Sequence, residues 1–282
     1  VPAGSPLRAA WRGAAFLTLT LLLIPVYVLA GLSGRRRLVA LLWCRGTCAI
    51  LGIRLRVDGV PFTACPTVYV ANHVSYLDIP VLGAFLDATF VAKSEVASWP
   101  LFGLLGRLSG TFFVRRRRLD ALVQRNALAA RLRAGESFVL FAEGTSSDGR
   151  DVLPFRTSLL SVCEPWVLDR PVAVQPVTLA YRRLGDGTPV DARNGGLYAW
   201  YGDATFLPHL LGVLAGPGIE IAIHLGEPVL SWAVTGRKRL GRDLHGLVQR
   251  RLTALRLPVS ADILTECPAL RPVLEGMQER SG

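Results

Sequence analysis

The chain holds four histidines, His73, His209, His224 and His245. His73 has the setting that acid–base chemistry asks for. It follows an apolar, β-branched run over residues 67–71 and stands five residues before Asp78. A neutral imidazole accepts a proton from an alcohol near neutral pH. A carboxylate on its other nitrogen fixes the tautomer and stabilises the cation that forms. Along a continuous helix the two side chains would point about 140° apart, so they meet only if the chain turns between them. Ile79-Pro80 directly after Asp78 marks a helix start, because proline is tolerated in a first turn. A strand end followed by that helix supplies the turn. The bare spacing is common by chance: Asp78 equally well caps its helix, with His73 a hydrogen-bonded loop residue. His224 reads as structural within a strand, His245 as exposed on a basic helix, and His209 as a loop residue near Trp200-Tyr201-Gly202-Asp203, which could help wall a pocket.

The elements around His73 read as an α/β fold. Runs rich in β-branched and aromatic residues predict strands at 67–71, 89–92, 111–114, 138–141, 172–178 and 219–224. Helical spacing predicts helices over 119–133 and 240–255, while 184–218, rich in Gly, Pro and aromatics, reads as an irregular excursion. Strands alternating with helices imply a mixed, mainly parallel sheet covered by helices on both faces. Loops at the carboxyl ends of such strands are where ligands bind, and that is where His73 falls. No internal repeat or linker divides the chain further, which gives a helical front end over 1–54 and one α/β domain over 55–282.

The front end is apolar and uncharged over residues 14–32, about the length that spans a hydrocarbon core. Arg8 and Arg12 precede it and Arg35, Arg36 and Arg37 follow. A second apolar stretch, 38–53, carries Arg45. Either a transmembrane helix or hairpin, or a pair of helices lying partly in one leaflet, fits this pattern; a buried core helix is the alternative. The run is long for the core of a cleaved signal peptide. The Arg35–Arg37 cluster makes that end the better candidate for the cytoplasmic side. Composition agrees with lipid contact: 51% of residues are hydrophobic and 19% charged, and the formal net charge is +11 with Lys93 and Lys238 the only lysines. That charge favours an anionic partner, whether nucleic acid, anionic lipid headgroups or an acidic carrier protein. The five cysteines contain no Cys-x-x-Cys pair and no adjoining histidine pair, so they read as free thiols and not as a zinc site.

Four blocks occur in order: Asn72-His73-Val74-Ser75-Tyr76-Leu77-Asp78, Gly110-Thr111-Phe112-Phe113-Val114-Arg115-Arg116, Phe141-Ala142-Glu143-Gly144-Thr145-Ser146-Ser147 and Val174-Gln175-Pro176-Val177. Over residues 55–230 this resembles the glycerolipid acyltransferase family typified by 1-acylglycerol-3-phosphate acyltransferases. The resemblance implies that His73 deprotonates an acceptor hydroxyl, that Asp78 orients it, and that the alkoxide attacks an acyl thioester of acyl carrier protein or coenzyme A. Such chemistry needs no metal, no other cofactor and no covalent enzyme intermediate. Arg115 and Arg116 match the family's basic block and suit an anionic headgroup or donor phosphate, unless they belong to a solvated run with Arg117 and Arg118. Glu143 matches a glutamate associated with acceptor binding. Gly144 allows close backbone approach there, Thr145 adds a hydroxyl, and Arg156 is a further anion-binding candidate. The implied place is the bacterial inner membrane, with the site facing the cytoplasm.

The third block departs from the usual Phe-Pro-Glu-Gly-Thr-Arg-Ser of the phosphatidic-acid-forming enzymes. Ala142 replaces the proline, and Ser146 replaces an arginine, which removes a fixed cation where a phosphate monoester would bind. Phe-Ala-Glu-Gly-Thr-Ser-Ser-Asp-Gly is similar to bacterial lyso-ornithine lipid acyltransferases, whose acceptor carries an amino-acid headgroup and no phosphate. Lyso-ornithine lipid is therefore the preferred acceptor and lysophosphatidic acid the alternative. From another class, a non-catalytic protein binding anionic lipid through its basic face competes with the enzyme. Nucleic acid finds no recognised binding motif among the scattered arginines. Oligomeric state is left open.

Overall fold

The structure, a computed structural model, describes residues 4–99, 101–115 and 117–257. The chain opens with two antiparallel helices, α1 (Pro6–Ala30) and α2 (Arg36–Leu51), and enters β1 (Ile53–Asp58). Then come β2 (Thr67–Ala71), α3 (Asp78–Gly83), β3 (Thr89–Lys93), α4 (Phe102–Leu108), β4 (Phe112–Val114), α5 (Ala121–Arg133) and β5 (Phe138–Phe141). The long β6 (Ala173–Leu184), α6 (Phe206–Ala215), β7 (Ile219–Leu225), the short β8 (Val229–Leu230) and α7 (Arg237–Arg256) complete it.

The strands form one sheet of order β1-β7-β6-β2-β5-β3-β4, with β8 also on β6. Among the described strands only β6–β7 and β6–β8 are antiparallel; the other pairs run parallel, as the alternation of strands and helices predicts. Side chains alternate across the sheet. Tyr69, Ala71, Val139, Val177 and Leu179 face a core closed by α1, α2, α3 and α6. Val68, Val70, Phe138, Leu140 and Val174 face a second core under α5 and α7. Each such large apolar side chain contributes about 1.5–3 kcal/mol of burial, so the central strands are held from both faces.

Three expectations need correction. Ile53 belongs to β1 and not to the second apolar stretch; Arg54 and Arg56 alternate with Ile53 and Leu55 along this edge strand, and that charge hid it. The excursion at 184–218 contains α6, where Pro208 lies in the first turn and costs no hydrogen bond. His209 is therefore helical, and His245 is half-buried, its Nε2 3.0 Å from the Val152 carbonyl.

Helix α1, continued by a short 3₁₀ turn to Ser33, is long and apolar enough to cross a membrane by length and composition. It is also docked on the domain. Buried Arg12 donates to the carbonyls of Leu214 (3.3 Å) and Gly216 (2.9 Å) at the carboxyl end of α6, where a cation meets the negative end of the helix dipole. Leu17, Leu21, Leu22 and Leu29 of α1 and Leu38 and Leu42 of α2 remain exposed.

Candidate active site

The site grows from the end of β2. All five residues of this strand are buried, and its ladder with β6 stops at Ala71↔Val177. Asn72 then takes over from the ladder: its side chain donates to the Leu179 carbonyl (3.0 Å) and accepts from the Leu179 N–H (2.8 Å). This two-way clamp secures the strand end against β6 just before the chain turns.

Asp78 makes the turn. It is fully buried, and its Oδ2 accepts from the N–H groups of Val74 (2.8 Å) and Ser75 (3.1 Å), which folds the preceding segment back on itself. The same oxygen lies 2.8 Å from His73 Nδ1. Of the two roles that the spacing left open, Asp78 takes only the one beside the imidazole: its helix begins after Leu77 with no side-chain capping bond, and the carboxylate reaches back to the preceding turn instead. A carboxylate acceptor places the proton of neutral His73 on Nδ1, which leaves the Nε2 lone pair available. Nε2 makes no hydrogen bond to the described residues. The ring stacks on Phe141 at 4.0 Å between centroids and lines a groove of about 1670 Å³.

The adjacent strand end supplies the second half. Glu143, just beyond β5, is buried; its Oε1 accepts from the His73 N–H (2.8 Å) and its Oε2 from the Leu153 N–H (3.1 Å). Burial pushes its carboxyl up to about 7, against the pull of those two backbone donors. Both oxygens are therefore committed to the backbone. Gly144 adopts φ +68°, a left-handed turn suited to glycine. The turn brings Ser147 N–H to the His73 carbonyl at 2.9 Å. Gly144, Thr145 and Ser146 line the groove beside His73. Arg156 also lines it, with Nε 3.3 Å from the Glu143 carbonyl. Arg115 lies at the rim beyond β4, exposed, with Arg117 near it; Arg116 lies outside the described residues. Among the described residues no three His, Cys, Asp or Glu side chains gather as metal ligands would.

Phe16, Leu23 and Trp43 of the front helices and Ile79, Phe90 and Phe113 line the same groove as His73. Apolar lining beside an imidazole nitrogen that faces the groove suits a long aliphatic chain. Tyr181 lay beyond sequence reasoning. Tyr181 of β6 donates to Asp78 Oδ1 at 2.7 Å, and no spacing rule connects positions 103 residues apart.

The family model described as Acyltransferase matches residues 55–180. The chain is 40% identical over 250 residues to a lyso-ornithine lipid O-acyltransferase of Brucella abortus, covering 86% of this chain and 93% of that one. It is 38% identical over 253 residues to the enzyme of the same name from Rhizobium meliloti, covering 87% and 86%. In fold it is similar to the crystal structure of the 1-acyl-sn-glycerophosphate acyltransferase PlsC from Thermotoga maritima, with a TM-score of 0.62 and 19% identity over 88% of this chain and 99% of that one. With the ordered blocks, the mixed sheet and a relative matched over nearly its whole length, the chain belongs to the acyltransferase family.

Proposed function

We propose that this acyltransferase moves a fatty acyl group from the thioester of acyl carrier protein or coenzyme A to the hydroxyl of lyso-ornithine lipid, with His73 as base. The observation that carries the mechanism is the turn that holds His73 Nδ1 on buried Asp78 and leaves Nε2 open to the apolar groove. Nε2 takes the proton of the acceptor hydroxyl while that oxygen attacks the thioester carbonyl carbon. Asp78 stabilises the imidazolium. The tetrahedral intermediate collapses, the carbon–sulfur bond breaks, and the proton on Nε2 passes to the departing thiolate. Every atom is accounted for by the chain, the acceptor and the thioester.

The acceptor assignment rests on Ser146, which offers a hydroxyl where a phosphate-binding enzyme carries a guanidinium, and on the names of the relatives matched over most of the chain. Glu143 serves acceptor binding by holding the Gly144-Thr145-Ser146 turn against His73. Arg156 suits the carboxylate of an amino-acid headgroup, and Arg115 and its neighbours suit the anionic donor. We place the protein at the bacterial inner membrane with its site on the cytoplasmic side. The exposed leucine row of α1 and α2 lies in one leaflet, and Arg12 keeps α1 on the domain.

Purified protein supplied with acyl carrier protein thioester and offered lyso-ornithine lipid and lysophosphatidic acid side by side tests this reading. Preferential acylation of lyso-ornithine lipid is expected; exclusive turnover of lysophosphatidic acid refutes it. In the same assay Ser146→Arg should shift preference towards the phosphate acceptor. An unchanged ratio shows that position 146 does not read the headgroup.

A further inference from the structure

The sheet is uneven where the site lies. β2 stops at Ala71, but β6 continues seven residues past its last partner there, to Leu184, paired on its other side with β7. The continuing strand therefore runs beneath the turn from His73 to Asp78. The Asn72 clamp sets its register against that turn at Leu179. Two residues on, and so on the same face of the strand, stands Tyr181. Its ring is packed in the core beneath α2 and α3, and its hydroxyl is 2.7 Å from Asp78 Oδ1.

We infer that Tyr181 is a positioning residue for acyl transfer: its hydroxyl holds the Asp78 carboxylate in the plane His73 needs and draws charge from it, which sets how readily His73 protonates. The inference rests on His73 being the base. Asp78 Oδ2 already takes three donors, from His73, Val74 and Ser75, and among the described residues Oδ1 has Tyr181 alone. Without that hydroxyl a buried carboxylate oxygen is left unpaired, which a native core avoids. Burial and the adjacent Asp78 carboxylate raise the Tyr181 phenol well above its ordinary value, so it remains the donor throughout the working range.

The sign of the effect follows. Removing the donor leaves more negative charge on Asp78 facing the imidazolium that forms in the reaction, so the acid limb of kcat/KM moves to higher pH. The other titratable groups facing the trio are Tyr76 of the same turn, Cys48 of α2 and Glu143 beyond β5, with Arg156 on the Glu143 carbonyl. Burial pushes the Glu143 carboxyl up to about 7. It keeps both backbone donors in either protein, so the displacement between two profiles, and not their absolute position, reports on Tyr181.

The test compares wild type, Tyr181→Phe and His73→Ala as full-chain protein, with kcat, KM and the pH profile of kcat/KM measured for each. Tyr181→Phe should lower kcat roughly tenfold to a hundredfold with KM nearly unchanged, and move the acid limb to higher pH. A merely structural tyrosine would lower thermal stability and leave that limb in place, and this result overturns the inference. If His73→Ala retains wild-type turnover, the base assignment falls instead. Should Tyr181→Phe not fold, 3-fluorotyrosine at 181 keeps the shape and strengthens the donor. It should move the acid limb to lower pH, and an unmoved limb there also overturns the claim.

Discussion

Among the described residues two histidine–aspartate pairs share the same contact. His73 Nδ1 and Asp78 Oδ2 are 2.8 Å apart, and so are His224 Nδ1 and Asp58 Oδ2. Around them everything differs. The Asp78 side chain is 0% exposed and that of Asp58 46%. Asp78 takes four hydrogen bonds that bend a turn and close on Tyr181. Asp58, at the end of edge strand β1, is shared between His224 and Arg251 of α7. Burial works against the charge on Asp58, but the His224 contact and Arg251 together hold its carboxyl below the ordinary range. His73 opens onto the apolar groove, and His224 is not among the residues lining it. A short His–Asp contact is therefore not a site in itself. The imidazole must present its second nitrogen to a place where substrate can lie, from a carboxylate that cannot move.

The largest effect is expected at the buried pair. His73→Ala and Asp78→Asn should each lower kcat by roughly 10²–10⁴-fold, the span expected of general acid–base catalysis, with native thermal stability retained in the histidine variant. Initial-rate assays on folded protein check this. Glu143→Gln comes next. It places an amide against two backbone donors and should cost about 1–3 kcal/mol of stability, read by thermal unfolding. The pH dependence of stability gives a signed version of the same prediction. A carboxyl raised to about 7 in the folded protein contributes stability that is complete below its unfolded value near 4.5 and is lost as pH rises through 7. Wild type should lose that increment across the window, and Glu143→Gln should not. His224→Ala should have the smallest effect, within about 1 kcal/mol in stability for a partly exposed pair and within about twofold in turnover. A His224→Ala enzyme as impaired as His73→Ala would erase the distinction between the pairs.

Sequence reasoning found what is local. Strands β2 and β5 begin and end where apolar, β-branched runs do, because both are buried on two faces and flanked by polar turns. The bend between His73 and Asp78 followed from helix geometry, although not its agent, the reach of Asp78 back to the Val74 and Ser75 N–H groups. What escaped depends on distant parts of the chain. Edge strand β1 carries arginines on its open side, α6 hides behind Pro208 and Gly212, and Tyr181 meets Asp78 only because β6 outruns β2. The likeness of Glu143 to an acceptor-binding glutamate was legible in its block; the commitment of both its oxygens to backbone N–H groups was not, since Leu153 arrives from a loop that spacing does not register.

The most direct measurement is the rate of acyl transfer from acyl carrier protein thioester to lyso-ornithine lipid by wild type, His73→Ala and His224→Ala proteins matched for folding. The expected result is loss of turnover by at least about 10²-fold in His73→Ala, with His224→Ala close to wild type. Wild-type turnover in His73→Ala would contradict the assignment of the base.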